Sequence, residues 1–186
     1  GNRLLKNGQT CAELLKEQVG TAASGYGLTT HYYLQQTGRI PREAVKMTTI
    51  SDYIAMKLTG NREPVIAADM AASWGCFDLE RGTFSLDKLR AVGADVSYLP
   101  PVCASHCVIG RTAEGIPVVC SKGDNQASVA GTLQGLQDSL VLNIGTGSQV
   151  SMLTSASLDF AVSGRELRPI PPENYLMAAA GLCAGR

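Results

Sequence analysis

Ile116-Pro117-Val118-Val119-Cys120-Ser121-Lys122-Gly123-Asp124-Asn125-Gln126-Ala127 decides how this chain is read. It runs from a short apolar segment of buried-strand type, through a Gly-Asp pair, into helix formers with apolar spacing from Gln126 to Leu136. Asp124 is therefore expected where a helix begins. A carboxylate in that position accepts backbone N–H groups of the first turn and is favoured by the helix dipole, which holds it at the mouth of a sheet rather than inside it. Taken alone, Asp124 is either a structural cap or a base.

A second stretch, Asn143-Ile144-Gly145-Thr146-Gly147-Ser148, lies between two strand-like runs, Leu140 to Ile144 and Ser148 to Leu153. The pattern predicts a tight hairpin. Its glycines permit positive φ and close approach to an anion, while the Thr and Ser hydroxyls and the turn N–H groups can donate to phosphate oxygens. Read alone, it is either a permissive turn or a phosphate cradle. The better-known phosphate signatures, G-x-G-x-x-G and Gly-Lys-Ser/Thr, are absent.

Composition narrows the function classes. A chain of 186 residues makes one domain or two small ones. Hydrophobic residues are 45%, but no apolar run approaches the roughly 20 residues that a membrane helix needs, so no membrane partner is expected. Lys and Arg (16) balance Asp and Glu (16) without a basic cluster, which removes the electrostatic term that dominates nucleic-acid binding. Only three Phe and one Trp leave the core to Ala, Leu, Val and Ile, a composition that suits helices packed on a sheet.

The six cysteines, at 11, 76, 103, 107, 120 and 183, form no dense framework and read as free thiols in a reducing, cytoplasmic compartment. Cys103-Ala104-Ser105-His106-Cys107 offers three soft donors without a nearby pair to complete four ligands, so no metal site is expected. With His31 and His106 the only histidines, nucleophilic hydrolase devices are poorly supplied.

Along the chain, Thr10-x-x-Glu13 is a capping box ahead of Leu14 and Leu15, with Gly20 closing that helix. Residues 28 to 36 read as a second helix stopped by Gly38. Ile50, Tyr53, Ile54 and Leu58 are expected to form the buried apolar face of a third, stopped by Gly60. A fourth runs from Leu86 to Val92, and strands follow at 107 to 111 and 116 to 121. The tyrosines at helical spacing are expected in the core.

Six segments in order carry a resemblance: Asp52-Tyr53-Ile54 through Leu58-Thr59-Gly60, Asp69 to Ser73, Leu99-Pro100-Pro101-Val102, Ile109-Gly110, Gly115-Ile116-Pro117-Val118 leading to Gly123-Asp124-Asn125-Gln126-Ala127, and Asn143 to Ser148. Together with Glu166-Leu167-Arg168-Pro169 and Tyr175-Leu176-Met177, the chain from about Ser24 onward resembles the FGGY carbohydrate kinases. One departure stands out. The family's Lys and Trp are missing from Tyr26 to Gln36, where Tyr32 and Tyr33 stand instead.

The resemblance implies an α/β fold of RNase H-like domains of the actin, Hsp70 and sugar-kinase type, here incomplete. Residues 1–134 would be the later part of the first, sugar-binding domain, and residues 135–186 the opening part of the second, nucleotide-binding domain. The chain then reads as a piece of a longer kinase, inactive by itself. The implied reaction is ATP-dependent phosphorylation of a primary hydroxyl of a ketose, sedoheptulose foremost, with Mg2+ as cofactor and with sugar and ATP as partners. Asp124 would be the catalytic base. Gly123, Asp124 and Asn125 would meet the sugar, and Gly145, Thr146, Gly147 and Ser148 the ATP phosphates from the opposite lobe. Other sugar or polyol kinases of the family (xylulose, ribulose or glycerol type) and a non-catalytic sugar-binding relative remain as alternatives.

Overall fold

Thr10 opens the first helix of the chain, which a computed structural model describes over residues 8–132, 139–144, 148–155, 166–170 and 174–182. The capping box forms as expected: Thr10 Oγ1 accepts from the Glu13 N–H at 3.2 Å, and Glu13 Oε2 accepts from the Thr10 N–H at 2.8 Å. Those two hydrogen bonds satisfy orphan donors reciprocally, and the Thr10 N–H, with the Thr10 hydroxyl beside it at 2.8 Å, holds the Glu13 carboxyl below its usual range. Helix α1 (Cys11–Gln18) buries Cys11 and Leu15.

The chain divides into two compact units, residues 1–121 and 122–186. In the first, α2 (Gly27–Gln36) buries Leu28, Thr29, His31 and Tyr32. The Tyr32 hydroxyl donates to the Val92 carbonyl at 2.8 Å, so this ring is core with its polar end satisfied, as expected. Helix α3 (Ile50–Thr59) ends on Gly60 in the left-handed conformation, φ 72°. Next come β1 (Ile66–Ala67), α4 (Ala68–Ser73), the hairpin of β2 (Phe77–Asp78) and β3 (Thr83–Phe84), and α5 (Leu86–Ala91). Strand β4 (Val102–Cys103) pairs parallel with β1, setting Ile66 beside Val102. The unit closes with β5 (Val108–Arg111) antiparallel to β6 (Pro117–Val119). Its core gathers Leu15, Leu28, Ile66, Trp74, Phe84, Leu89 and their neighbours.

The expected buried face of α3 is corrected by the structure. Ile50 is 82% exposed, and Tyr53, Ile54 and Leu58 are about half exposed, whereas Asp52 and Ala55 are buried. Polar anchoring and a close backbone approach set the helix's orientation. The Asp52 carboxylate takes hydroxyl hydrogen bonds from Thr49 and Ser121. Thr59 packs on Gly110 so tightly that a Cβ at Gly110 would lie 2.8 Å from the threonine methyl.

In the second unit, α6 (Asp124–Thr132) precedes β7 (Leu140–Asn143), β8 (Ser148–Ser155), β9 (Glu166–Ile170) and β10 (Asn174–Leu182). The four strands form one antiparallel sheet in the order β7-β8-β10-β9. The expected hairpin is present, with Asn143 opposite Gln149 and Leu140 opposite Met152. Val129 of α6 packs with Leu153, Ile170 and Val141. That packing places α6 in the same compact unit as the sheet, so the units part at 121/122, ahead of the boundary expected at 134/135.

His31 makes the stability of the first unit depend on pH. The ring is buried, lies 5.0 Å from the Tyr98 ring, and its Nε2 has no hydrogen-bond partner among the described residues. Burial pushes the imidazole below its ordinary value of 6.5, and the charge of Asp95 opposes this only in part. The unfolded chain therefore binds a proton that the folded one refuses. Stability is intact above about pH 6.5 and falls as the pH drops toward the lowered folded-state value. Thermal melts between pH 7.5 and 5.5 should show this loss, and a His31→Phe variant should show less of it. An equal acid loss in the variant would place the effect elsewhere.

Candidate active site

Asp124 is the first residue of α6, where the sequence placed a helix start. Its carboxylate is exposed, and Oδ1 accepts from the Asn125 N–H at 2.7 Å. The helix's first turn closes through the Ala127 N–H, which donates to the Gly123 carbonyl at 2.9 Å. Gly123 has a packing reason to be glycine. The side chain of Gln126, only 1% exposed, fills the space that a Cβ at 123 would need, lying 3.0 Å from it at Cδ. The Gly-Asp pair thus combines a buried, tightly packed backbone with a carboxylate projecting into solvent.

The two motifs meet through a contact that the sequence did not announce. Gln149 Nε2 donates to Asn125 Oδ1 at 3.0 Å and to Ser151 Oγ at 2.7 Å. Asn125 follows the candidate base, and Gln149 follows Ser148 at the start of β8. This ties Gly123-Asp124-Asn125, the candidate sugar-side triplet, to the strand leaving the candidate phosphate turn. Of that turn, Gly145, Thr146 and Gly147 lie outside the described residues. Ser148 is described and informative: it is 2% exposed and its hydroxyl has no hydrogen-bond partner among the described residues. An orphaned buried hydroxyl is costly unless something completes it, and a phosphate oxygen has the acceptor chemistry to do so.

Sequence reading also missed a buried carboxylate bonded to the last residue of the first unit. In the first unit, Asp52 is 1% exposed, accepts from the Thr49 hydroxyl at 2.7 Å and accepts the Ser121 hydroxyl on its other oxygen. The Asp52 N–H also donates to Thr49 Oγ1 at 3.0 Å, making a threonine cap whose third residue is an aspartate. Ser121 immediately precedes Lys122-Gly123-Asp124 in sequence. A buried carboxylate thus holds Ser121 at the end of the first unit, and only the T-x-x-D spacing of Thr49 and Asp52 hinted at it. Among the described residues, no group of three or more His, Cys, Asp or Glu is placed to hold a metal ion.

No family model matches the chain. It is 30% identical to mouse (Mus musculus) sedoheptulokinase over 139 residues, covering 70% of this chain and 29% of that protein. It is 29% identical to human (Homo sapiens) sedoheptulokinase over 178 residues, covering 89% of this chain and 37% of that protein. The chain therefore spans about a third of the length of these curated relatives. Among solved structures, xylulose kinase from Rhodospirillum rubrum superposes with a TM-score of 0.74 at 24% identity, over 97% of this chain and 41% of that one.

The chain belongs to the FGGY carbohydrate kinases. Its fold is the actin, Hsp70 and RNase H-like fold of sugar kinases. In this FGGY chain the two late segments of the resemblance are neighbours: β10 pairs with β9, so that Tyr175 faces Pro169 and Met177 faces Leu167. No helix among the described residues of the FGGY chain is long and apolar enough to cross a membrane.

Proposed function

We propose that this chain is part of an ATP-dependent kinase that phosphorylates a primary hydroxyl of a ketose, sedoheptulose foremost. The observation that carries the reading is an exposed aspartate at the start of α6, in a chain about 30% identical to sedoheptulokinases. Its five described free cysteines support a reducing compartment, and we place the kinase in the cytoplasm.

A sugar hydroxyl is a weak nucleophile, and phosphoryl transfer depends on holding it in line while the spreading charge is stabilised. Asp124 orients that hydroxyl and accepts its proton. Gly123 and Asn125 flank it on the sugar side, with Asn125 fixed in turn by Gln149. Gly145, Thr146, Gly147 and Ser148 bind the nucleotide phosphates, and the unpartnered Ser148 hydroxyl supports this assignment. ATP, with Mg2+ carried on its phosphates, supplies the transferable phosphoryl group.

The test is a nucleotide-consumption assay of the full-length polypeptide against sedoheptulose, xylulose, ribulose and glycerol. Highest kcat/KM with sedoheptulose is expected. Highest kcat/KM with another of the four would reassign the substrate, and no turnover with any would end the kinase reading in favour of a non-catalytic sugar binder. Ser148→Ala examines the phosphate side. Deleting a buried hydroxyl with no partner should leave stability unchanged or slightly raised. A hydrogen bond to a charged group is worth about 1.5–3 kcal/mol, so kcat/KM for ATP should fall by roughly 10- to 150-fold. Unchanged ATP kinetics would remove Ser148 from the phosphate site.

A further inference from the structure

Strand alternation puts Gln149, Ser151 and Leu153 on one face of β8. Leu153 packs with Val129 of α6, so this is the face that the helix covers. Gln149 accordingly reaches the first turn of α6, where its Nε2 donates to Asn125 Oδ1 at 3.0 Å. The second hydrogen of the same nitrogen goes to Ser151 Oγ at 2.7 Å, and Ser151 is 3% exposed, which anchors the amide inside the unit. Both hydrogens of Gln149 are therefore spent on the protein.

The consequence falls on Asn125. Its N–H donates to Asp124 Oδ1 at 2.7 Å, and its amide oxygen is taken by Gln149. The residue is only half-buried, and among the described residues no acceptor takes the two hydrogens of its Nδ2. A side-chain amide held by its oxygen turns its nitrogen away from the holder, so Asn125 has a fixed donor to offer beside the Asp124 carboxylate.

We infer that Gln149 is a positioning residue for the sugar: it holds Asn125 by the amide oxygen and so sets Nδ2 as the donor to a sugar hydroxyl oxygen. The inference rests on the proposed role of Asn125 on the sugar side. Gln149 itself touches no substrate, and its effect passes through one hydrogen bond. A glutamate at 149 would fill the same space with acceptors alone. It would repel the Asn125 oxygen and turn the amide over, giving the sugar an oxygen in place of a donor, while the Ser151 hydroxyl could rotate to donate to the new carboxylate. Orientation and packing are thereby separable.

The test measures sugar dissociation constants by calorimetry, without nucleotide, on the full-length polypeptide, using whichever of sedoheptulose, xylulose, ribulose and glycerol it turns over best. Losing one neutral hydrogen bond corresponds to roughly 2- to 12-fold, and Gln149→Ala should weaken sugar binding by that factor while KM for ATP at saturating sugar stays nearly unchanged. Gln149→Glu should weaken it at least as much with its melting temperature close to the parent's. In Asn125→Ala, where the oriented group is gone, adding Gln149→Ala should weaken sugar binding no further. Parent-like sugar binding by Gln149→Glu, or losses that simply add in the double variant, would overturn the inference while a weakened Asn125→Ala keeps the sugar-side reading intact. Unchanged sugar binding in Asn125→Ala would remove Asn125 from the sugar side and the inference with it. A raised KM for ATP with unchanged sugar binding in Gln149→Ala would also overturn it, assigning Gln149 to the phosphate side.

Discussion

Asp124→Asn in the full-length kinase should lower turnover by about 10²- to 10⁴-fold while leaving the sugar dissociation constant within a few-fold of the parent. The substitution keeps the size of the side chain and an oxygen that can still accept from the Asn125 N–H, but removes the group that takes the hydroxyl proton. Because Asp124 is exposed at the first turn of α6, the loss of its favourable interaction with the helix dipole costs only about 0.3–1 kcal/mol of stability. A fall in kcat without a matching fall in folded fraction therefore reports chemistry. Single-turnover kinetics together with calorimetric sugar binding make the distinction. Near-normal turnover would leave Asp124 as a helix cap and nothing more.

Gly75→Ala should be among the most damaging single-methyl changes in the first unit. Gly75 has φ +89°, and a Cβ there would lie 2.8 Å from the Thr21 carbonyl oxygen and 3.0 Å from the Tyr26 ring. The Thr21 carbonyl cannot retreat freely, because it accepts the Cys76 N–H at 2.7 Å. Left-handed strain costs about 1–3 kcal/mol and overpacking against fixed atoms a further 1–3 kcal/mol. The sum, roughly 2–6 kcal/mol, is a large part of a typical domain's 5–15 kcal/mol. Gly93→Ala is the control, since Gly93 also has positive φ, +78°, but nothing lies within 4 Å of a Cβ there. Urea unfolding midpoints should fall much further for Gly75→Ala than for the control, and equal shifts would show that the contact with Thr21 carries no cost.

Local signals were readable from sequence wherever the deciding chemistry is local. Thr10 and Glu13 are three residues apart and satisfy one another, Gly60 ends α3 by its own backbone freedom, and the strand-like runs on either side of residues 145–147 announced the β7–β8 hairpin, though not its register. The orientation of α3 was not readable. Ile50, Tyr53, Ile54 and Leu58 have the spacing of a buried stripe, but Ser121 and Gly110, far along the chain, turn Asp52 and Thr59 inward. Periodicity identifies a helix; distant partners choose its buried face. The two-residue strands Ile66–Ala67 and Val102–Cys103 are too short to show any period, and only their parallel pairing makes them strands. At the candidate site, Asp124 was legible from the Gly-Asp between a strand and a helix. The Asn125–Gln149 hydrogen bond was not, since it joins residues with no sequence pattern between them.

The Ser121–Asp52 hydrogen bond also fixes a sequence of events on the ribosome. Its partners are 69 residues apart. At roughly 5–20 residues per second, synthesis takes on the order of 3–14 s to pass from one to the other. Throughout that interval α3 has emerged with only its own Thr49 cap, and the Asp52 carboxylate stays in water. The polar anchor that sets the helix's buried face is completed only once nearly all of the first unit has been made. Vectorial growth from the N-terminus therefore cannot finish this unit piecemeal: its last residue, Ser121, completes the lock.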